Sequence, residues 1–549
     1  MKKIIAVACA LCFVAGAGAQ TIYDAAKLAE RDLNGTARFV GMGGAMSALG
    51  GDISTMGTNP AGIGIYRSND IMTSFSFSAY GTESKYLGKT FNNDKNRWAF
   101  DNIGLVFASK IGNQTALRYV NFGFNYKRTK SFYKNMTMGG LMGTVDDIFV
   151  SQVNQMGQQA TDAVSYDRYN YDFGSSEAYS NNRLGWLGIM GFQGFLTNAV
   201  QDKDGYDIYE PIVPDEVEAN FNSNEKGGIS QYDFNVALNL NDRVYLGLTI
   251  GAYDVNYKKT TWYDEDYGNN EGYVLDSYNR IKGSGVDVKF GAIVRPFESS
   301  PFRIGFAIHT PTFYSLTYEN GASMTSDVYL KKVQEGDKEF KVRDDNPAED
   351  AETTRVSFDA NDGRNIEQDF HLSTPWRFNA SLGYTVGTSL ALGAEYEYED
   401  YSSMKFKYPE GDEMIDQNGT IKDYLKGVHT FRIGAEYKVI PEFAFRLGYN
   451  YSSTAFKDEA YKWIPTNSTL TDTDFANSQS HSNYTIGIGY RGKSFYADLA
   501  YQYSTYKEKF YPFYNDLETS PDVWEVVTPQ ATKVTNTRSQ VLLTVGMRF

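Results

Sequence analysis

Residues 541–549 read Val-Leu-Leu-Thr-Val-Gly-Met-Arg-Phe. Apolar side chains stand at every second position: Val541, Leu543, Val545, Met547 and Phe549. A repeat of two is the period of a β-strand, in which alternate side chains point to opposite faces. The segment is therefore a strand with one continuous apolar face that ends on an aromatic ring.

An exposed terminal aromatic gives a soluble sheet no advantage. A final strand that ends on phenylalanine is similar to the signal that the outer-membrane assembly machinery reads on transmembrane barrels. We therefore expect Phe549 to be an assembly signal and the protein to be a multi-pass β-barrel of the outer membrane.

The first nineteen residues have the pattern of a secretory signal peptide. Two lysines precede an apolar run at 4–14, and Ala17-Gly18-Ala19 offers a cleavage site of small residues. The run is too short to cross a bilayer as a helix. An apolar helix that stays in the mature protein is the alternative interpretation.

Composition agrees with a barrel and excludes other classes. Both cysteines, Cys9 and Cys12, lie in the signal segment, so we expect no disulfide and no cysteine metal site in the mature chain. The 42 tyrosines and 35 phenylalanines suit the aromatic girdles of a barrel. A mean hydropathy of −0.44 disfavours a bundle of membrane helices, and a net charge of −15 disfavours nucleic acid as a partner.

Thirteen further segments alternate like the last one, so the sequence predicts fourteen strands. Each is close to or above the roughly 9–11 residues that a tilted strand needs to cross a bilayer. They are 70–80, 98–110, 116–128, 231–240, 243–257, 284–295, 302–318, 367–384, 389–401, 429–439, 443–453, 483–490, 494–506 and 537–549.

The connections between these strands alternate strictly between short and long. Short turns such as 241–242 and 440–442 are followed by long polar loops such as 260–276 and 319–364. Short periplasmic turns and long external loops are typical of outer-membrane barrels, whereas a soluble β-sandwich is not expected to sort its loops in this way. We therefore predict an all-β fold, a 14-stranded antiparallel transmembrane barrel over 70–549.

One external loop, predicted at 129–230, is far longer than the others, and such loops carry structure or function. Thr144 is a candidate N-cap of a helix in this loop, whose first turn would hold Asp146 and Asp147. The uncharged stretch 184–200 has glycines at every third position from Gly185 to Gly194. Its apolar residues are candidates for ligand capture: Trp186, Leu187, Ile189, Met190, Phe192, Phe195 and Leu196. The alternative is that this stretch packs into the barrel mouth and stabilises it.

The segment before the first strand, 20–69, is rich in glycine and does not alternate. Residues 37–46 read Ala-Arg-Phe-Val-Gly-Met-Gly-Gly-Ala-Met, and residues 59–64 read Asn-Pro-Ala-Gly-Ile-Gly. A small plug inside a barrel must approach the wall with its backbone, and glycine permits this. Dinucleotide-binding spacing and a Lys-Ser/Thr pair are both missing, so a phosphate-binding loop is disfavoured.

These two motifs resemble the hatch of the long-chain fatty-acid transporters of the outer membrane, the FadL/TodX type. The segments His309-Thr310-Pro311 and Ser373-Thr374-Pro375-Trp376 resemble a branch of that family with long external loops, sometimes labelled hemin receptors. The resemblance implies a fourteen-stranded barrel plugged by the hatch. It also implies passive uptake of hydrophobic molecules such as long-chain fatty acids, after capture by external loops.

The resemblance further assigns gating to the hatch: Gly41, Gly43, Gly44, Asn59, Pro60, Ala61 and Gly62. Sideways release through a kink in the third strand is the family's route, but nothing in the sequence of 116–128 indicates such a kink. Partners expected are a hydrophobic ligand, outer-membrane lipid and lipopolysaccharide, and the barrel assembly machinery. We expect a monomer without a cofactor.

Other functions remain as alternatives. Haem or another tetrapyrrole as cargo requires His309 or His371 to reach the lumen as an axial ligand. An energised receptor of the siderophore type needs a far larger plug, and an adhesin needs no hatch. No nucleophile motif and no histidine pair at metal-ligand spacing points to an enzyme.

Overall fold

The computed structural model describes residues 18–145, 148–214, 217–335, 338–344, 346–348, 351–520 and 523–549. The signal peptide predicted for 1–19 falls almost entirely outside these ranges. No helix in the described ranges is long and apolar enough to cross a membrane.

Strands dominate the described chain. They are numbered here in chain order, so that one strand of the barrel wall can carry two numbers and strands in the loops are numbered too. The first fourteen are β1 (Asp70–Tyr86), β2 (Lys89–Lys110), β3 (Leu117–Ser131), β4 (Lys134–Met142), β5 (Thr144–Val145), β6 (Ile148–Phe149), β7 (Thr197–Gln201), β8 (Asp207–Pro211), β9 (Val217–Leu240), β10 (Val244–Gly268), β11 (Glu271–Val294), β12 (Arg303–His309), β13 (Phe313–Val328) and β14 (Leu330–Glu335). They continue with β15 (Lys338–Arg343), β16 (Thr354–Asp359), β17 (Ile366–Ser373), β18 (Arg377–Val386), β19 (Leu390–Asp400), β20 (Lys405–Lys407), β21 (Gly427–Ile440), β22 (Phe443–Ser452), β23 (Phe475–Arg491), β24 (Phe495–Tyr511), β25 (Asn515–Ser520), β26 (Val523–Val527) and β27 (Thr532–Arg548).

Helices are short and lie before the first strand and in the long loops. They are α1 (Ile22–Ala29), α2 (Ala37–Gly41), α3 (Gln152–Asp167), α4 (Trp186–Gln193) and α5 (Ile415–Tyr424). Tighter 3₁₀ turns cover Ile53–Gly57, Pro60–Ile65, Ser176–Ser180, Ala360–Gly363 and Tyr401–Ser403.

The wall is a closed antiparallel barrel of fourteen strands. It closes because β1 pairs with β2 on one side and with β27 on the other. In wall order the strands are β1, β2, β3 with β4, β9, β10, β11, β12 with β13, β17 with β18, β19 with β20, β21, β22, β23, β24 and β27. The predicted fold class is confirmed.

The outside of the barrel is apolar and the inside is polar. On β9 and β10, Phe234, Val236 and Ile250 are exposed, whereas the intervening Asn235 and Thr249 are buried. Outward apolar and inward polar alternation is the pattern of a barrel surrounded by lipid, because lipid tails cover the exposed side chains. The protein is therefore an outer-membrane β-barrel.

Most strands extend beyond the lengths predicted for them, chiefly at their external ends. The third strand runs on through β3 and β4 to Met142, and the fourth begins at Val217. The range 129–230 predicted as a loop is thus too wide, and the region between these two strands is 143–216. Outside the bilayer a strand has no apolar face to maintain, so alternation in sequence fades while pairing continues.

Residues 143–216 form a small external domain around α3 and α4. The predicted N-cap Thr144 is wrong, because it lies in the β5–β6 pair. Helix α3 instead begins after Ser151, whose hydroxyl accepts a hydrogen bond from the backbone N–H of Val153 at 3.0 Å. Asp146 and Asp147, placed in the first turn by the prediction, fall outside the described residues.

The glycine repeat of 185–194 now has a physical reason. Helix α4 packs so closely on α3 that a Cβ on Gly188 would lie 3.0 Å from the backbone nitrogen of Ala160. A Cβ on Gly191 would lie 2.7 Å from the Cβ of Met156. The glycines let two helix backbones approach, and they form no open ligand surface.

Candidate functional site

The segment 20–69, here called the hatch, lies inside the barrel. Thr36 caps α2 by accepting a hydrogen bond from the backbone N–H of Phe39 at 3.1 Å. Asp52 caps the first 3₁₀ turn through the backbone N–H of Ser54 at 2.9 Å. Short capped turns keep this glycine-rich chain ordered although it has no sheet of its own.

The Asn-Pro-Ala turn of the hatch is fastened to the wall. The side chain of Asn59 accepts a hydrogen bond from Ala61 N–H at 3.1 Å and donates one to the carbonyl of Ala292 at 3.2 Å. Asn235 donates to the carbonyl of Pro60 at 3.3 Å. Pro60 has no N–H that would need a partner. The predicted gating turn is therefore a contact between hatch and wall.

The Gly41–Gly44 turn makes a second contact of the hatch with the wall. Gly43 has φ +63°, and a Cβ there would lie 2.7 Å from the backbone nitrogen of Tyr449. Thr485 donates a hydrogen bond to the carbonyl of Gly41 at 3.2 Å. Only a residue without a side chain adopts this backbone so near the wall.

The wall also has glycines where the hatch backbone approaches it, and the sequence analysis missed them. Four wall glycines pair across neighbouring strands β18, β19, β21 and β22 and form the glycine row: Gly383, Gly393, Gly434 and Gly448. A Cβ on Gly393 would lie 2.0 Å from the carbonyl oxygen of Ala45. The sequence does contain a pattern that could have revealed them, because glycine recurs at inward-facing positions of successive strands.

Buried ion pairs also join hatch and wall. Arg38 donates two hydrogen bonds to Glu436, at 2.8 and 2.9 Å, and Arg446 donates to the same carboxylate at 2.7 Å. Asp32 pairs with Arg538 at 2.9 Å. Burial raises the pKa of the Asp32 carboxyl, but Lys130 and Arg538 outweigh it and hold this pKa at about 2.

Neither histidine proposed as a haem ligand is placed for that role. His309 is buried, and its Nε2 lies 3.0 Å from the carbonyl oxygen of Thr58 in the hatch. His371 lies between the buried Phe370 and Leu372 on β17, so it points away from the lumen. The described residues contain no group of three or more His, Cys, Asp or Glu side chains that could hold a metal ion.

The barrel wall is interrupted between its second and third strands. The β2–β3 ladder ends at the pair Asn102 and Lys127, although both strands continue outward. At this level β2 has a bulge: Ser74 pairs with Asn102 and Phe75 pairs with Phe100. Asp101 therefore has no backbone partner in the β1–β2 ladder, and its side chain is buried. Asp101 pairs with Arg128 at 2.7 Å. The bulge bends β2 at the point where the ladder stops.

Above this point the third strand leans into the barrel. It breaks at 132–133 and resumes as β4, which stays paired with β9. The carbonyl of Leu141 accepts a hydrogen bond from the hydroxyl of Tyr86 at 3.4 Å, and that of Thr137 accepts from Ser84. Ser84 and Tyr86 are buried, inward-facing residues of β1. No backbone pair among the described residues joins β2 to β4, which meet only through side chains such as Asn93 and Thr137, and we call this interruption the wall gap.

A cavity of about 320 Å³ lies between the hatch and the inner face of the wall. Its lining includes Gly57 and Thr58 of the hatch, Phe456 of an external loop, and Tyr133 and Lys134 at the wall gap. The cavity thus reaches from the hatch to the interruption in the wall. None of the described residues of 143–216 lines it.

The cavity is lined by charges that compensate one another. Its lysines and arginines are Lys27, Arg31, Lys127, Lys130, Lys134, Lys259, Arg377, Arg432, Lys462 and Arg538. Typical pairs are Lys27 with Glu225 at 2.7 Å and Lys259 with Asp472 at 2.8 Å. Buried charges are expected to be paired, because an uncompensated one is costly in a low-dielectric interior.

The residues predicted to capture ligand are mostly inside the external domain. Fully or nearly fully buried are Trp186, Leu187, Ile189, Met190 and Leu196, and partly buried are Phe192 and Phe195. They pack with residues of α3 and of the outer strand ends in one apolar cluster. This burial favours the packing interpretation that the sequence left open.

Comparison with known proteins gave matches only among solved structures. No protein-family model matches the chain, and no curated protein does. A Pseudomonas aeruginosa FadL homologue is 12% identical, with 97% of this chain and 100% of that chain covered and a TM-score of 0.47. The Ralstonia pickettii toluene transporter TbuX is 13% identical, with 94% and 99% covered and a TM-score of 0.44.

A third similar structure is the Pseudomonas putida toluene transporter TodX. It is 9% identical, with 95% of this chain and 100% of that chain covered and a TM-score of 0.44. In this chain itself, fourteen strands close around a buried N-terminal hatch, and the Asn-Pro-Ala turn lies against the wall. These are the features that the resemblance of the sequence to the FadL/TodX transporters implied.

Proposed function

We propose that the protein mediates passive uptake of hydrophobic small molecules, such as long-chain fatty acids, across the outer membrane. One observation carries this proposal: the cavity ends at a hatch in the bore and at a gap in the wall. A molecule that leaves through the gap enters lipid. The route therefore favours cargo that is soluble in a bilayer, which a water-filled pore transports poorly.

The external loops supply the first step of the proposed route. The 184–196 segment is buried, so its role in capture is to hold the external domain together over the barrel mouth. Exposed aromatic rings such as Tyr166 and Tyr169 remain on that domain. In this step the external domain contacts lipopolysaccharide and passes apolar molecules on into the barrel.

The hatch supplies the gate. Asn59, Pro60 and Ala61 contact the wall on one side of the barrel, and the Gly41–Gly44 turn contacts it on the other. A small shift of these contacts would open the cavity toward the periplasm, while the wall gap allows sideways release. Assembly through Phe549 and a monomeric state complete the proposal.

Uptake by whole cells tests this function. Cells that express the wild-type chain should take up labelled palmitate faster than cells without it, while uptake of a water-soluble sugar stays unchanged. Deletion of 37–64 should change palmitate uptake and raise ion conductance if the hatch is the gate. Equal palmitate uptake with and without the chain would contradict the function, and a deletion with unchanged uptake and conductance would contradict gating alone.

A further inference from the structure

The cations that line the cavity are paired with carboxylates, with one exception. Nine of them have an Asp or Glu oxygen within 4.0 Å: Lys27, Arg31, Lys130, Lys134, Lys259, Arg377, Arg432, Lys462 and Arg538. Lys127 has no ion pair within 4.0 Å and no hydrogen bond from its ammonium group to any described residue, and the carboxylate near it, Asp233, is bound to Lys289 at 3.0 Å. It is nonetheless buried, with 8% of its surface exposed.

Lys127 lies where the cavity, the hatch and the wall gap meet. It forms the last pair of the β2–β3 ladder, so the wall gap begins at this residue. Its ammonium group lies against Gly57 of the hatch, where an added Cβ would come within 2.5 Å of Nζ. The absence of a side chain at Gly57 therefore makes room for the ammonium group itself, beside the cavity that both residues line.

A buried ammonium without a partner is unfavourable, so it either releases its proton or takes the opposite charge from a ligand. The cavity next to Lys127 has apolar lining too, from Leu33, Phe39 and Phe132. A neutral hydrocarbon would fill the apolar part and leave the ammonium unpaired. An alkyl chain with a single anionic head would satisfy both.

We propose that Lys127 binds the carboxylate of a fatty-acid cargo at the inner end of the wall gap, and that this one contact selects acids over neutral apolar molecules. The inference rests on the proposed uptake function and deepens it by naming the head-group partner. The nine paired cations are already neutralised, so the selectivity resides in a single side chain.

Binding of two probes of equal chain length tests the inference. The purified full-length protein in detergent is titrated with palmitate and with hexadecanol, which differs only in its uncharged head. We expect palmitate to bind the wild type roughly tenfold more tightly, as a charge-assisted hydrogen bond implies. Lys127→Met should lose this preference and keep hexadecanol binding, while Lys127→Arg should keep both.

Lys493→Met is the matched control, because it removes a lysine that is exposed in a periplasmic turn. It should bind both probes like the wild type. Each variant is checked for the heat-modifiable band of a folded barrel. Equal affinity of the wild type for both probes, or an unchanged preference in folded Lys127→Met, overturns this inference but leaves the uptake function intact. Absence of binding of either probe counts against both.

Discussion

Gly434 on β21 lies directly opposite Gly448 on β22, and both face the same turn of the hatch. A Cβ on Gly434 would fall 2.2 Å from the carbonyl oxygen of Met42, and one on Gly448 would fall 2.1 Å from the nitrogen of Gly43. Hatch and wall therefore meet backbone to backbone at this place. Close packing of this kind leaves no room for water between plug and barrel.

A methyl group in this contact should dislodge the hatch. We expect Gly448→Ala to cost about 1–3 kcal/mol of stability, as overpacking does, and to raise ion conductance in planar bilayers. Gly419→Ala is the control, because an added Cβ there meets nothing within 4 Å. Wild-type conductance and stability in folded Gly448→Ala would show that the row does not hold the hatch.

Loss of the Arg38 ion pair should loosen the hatch without leaving a lone charge. Arg38→Met removes two hydrogen bonds to Glu436, which keeps Arg446 as its partner. We expect a loss of roughly 2 kcal/mol in urea unfolding and a higher conductance. Arg364→Met, which breaks an exposed pair with Asp362 in an external loop, should change stability by less than about 0.5 kcal/mol. Equal effects of the two substitutions would refute the anchoring role of Arg38.

A disulfide across the wall gap should slow release of cargo. Asn93 on β2 and Thr137 on β4 have side-chain oxygens 3.3 Å apart, so this pair of positions is the one chosen for two cysteines, and formation of the bond is checked by thiol titration. We expect lower palmitate uptake in oxidised cells and recovery after reduction. A cysteine pair at Thr317 and Asp369, which face each other in an intact ladder, is the control. Unaltered uptake with a fully formed 93–137 disulfide would exclude the gap as the exit.

The external domain should respond to pH through Asp162 of α3. Burial raises the pKa of this carboxyl to about 6, with a further contribution from nearby Asp516 and opposition from the hydrogen bond of Gln158. The folded domain thus binds this proton more tightly than the unfolded chain, whose pKa is near 3.9. Its stability therefore falls as pH rises from about 4 to about 6.

Hydrogen exchange of 152–167 measures this response. Protection of the helix should decrease over that pH range in the wild type, whereas Asp162→Asn should be less sensitive to pH and better protected at pH 7. Asp204→Asn, in an exposed turn of the same domain, should behave like the wild type. Identical pH profiles for Asp162→Asn and the wild type would contradict the assignment.

Alternation identified the strands because the bilayer imposes it. Segments such as 443–453 and 243–257 cross lipid, so one face must be apolar, and the structure has β22 and β10 there. The same rule fails beyond the bilayer, where β9 continues to Val217 without such a face. Periplasmic strand ends were accordingly predicted closely, whereas external ends such as that of β9 were missed by more than ten residues.

The pathway itself was harder to predict, because it depends on contacts between distant residues. The bulge at Asp101, the break before β4 and the lone charge of Lys127 become visible only when β1, β2 and β3 are placed side by side. The hatch motif of 37–46 was recognisable, but its partners in the glycine row, Gly393, Gly434 and Gly448, lie more than 300 residues away. The apolar residues of 184–196 suggested a capture surface, yet apolarity alone does not separate a binding surface from a core.

The central claim is that a hatch closes the bore of a lipid-embedded barrel, and steady ion current through the wild-type protein in a planar bilayer tests it most directly. We predict no sustained current at constant voltage, because the hatch fills the bore above the periplasmic turns. A steady, open-pore current through the folded wild-type barrel would contradict the claim.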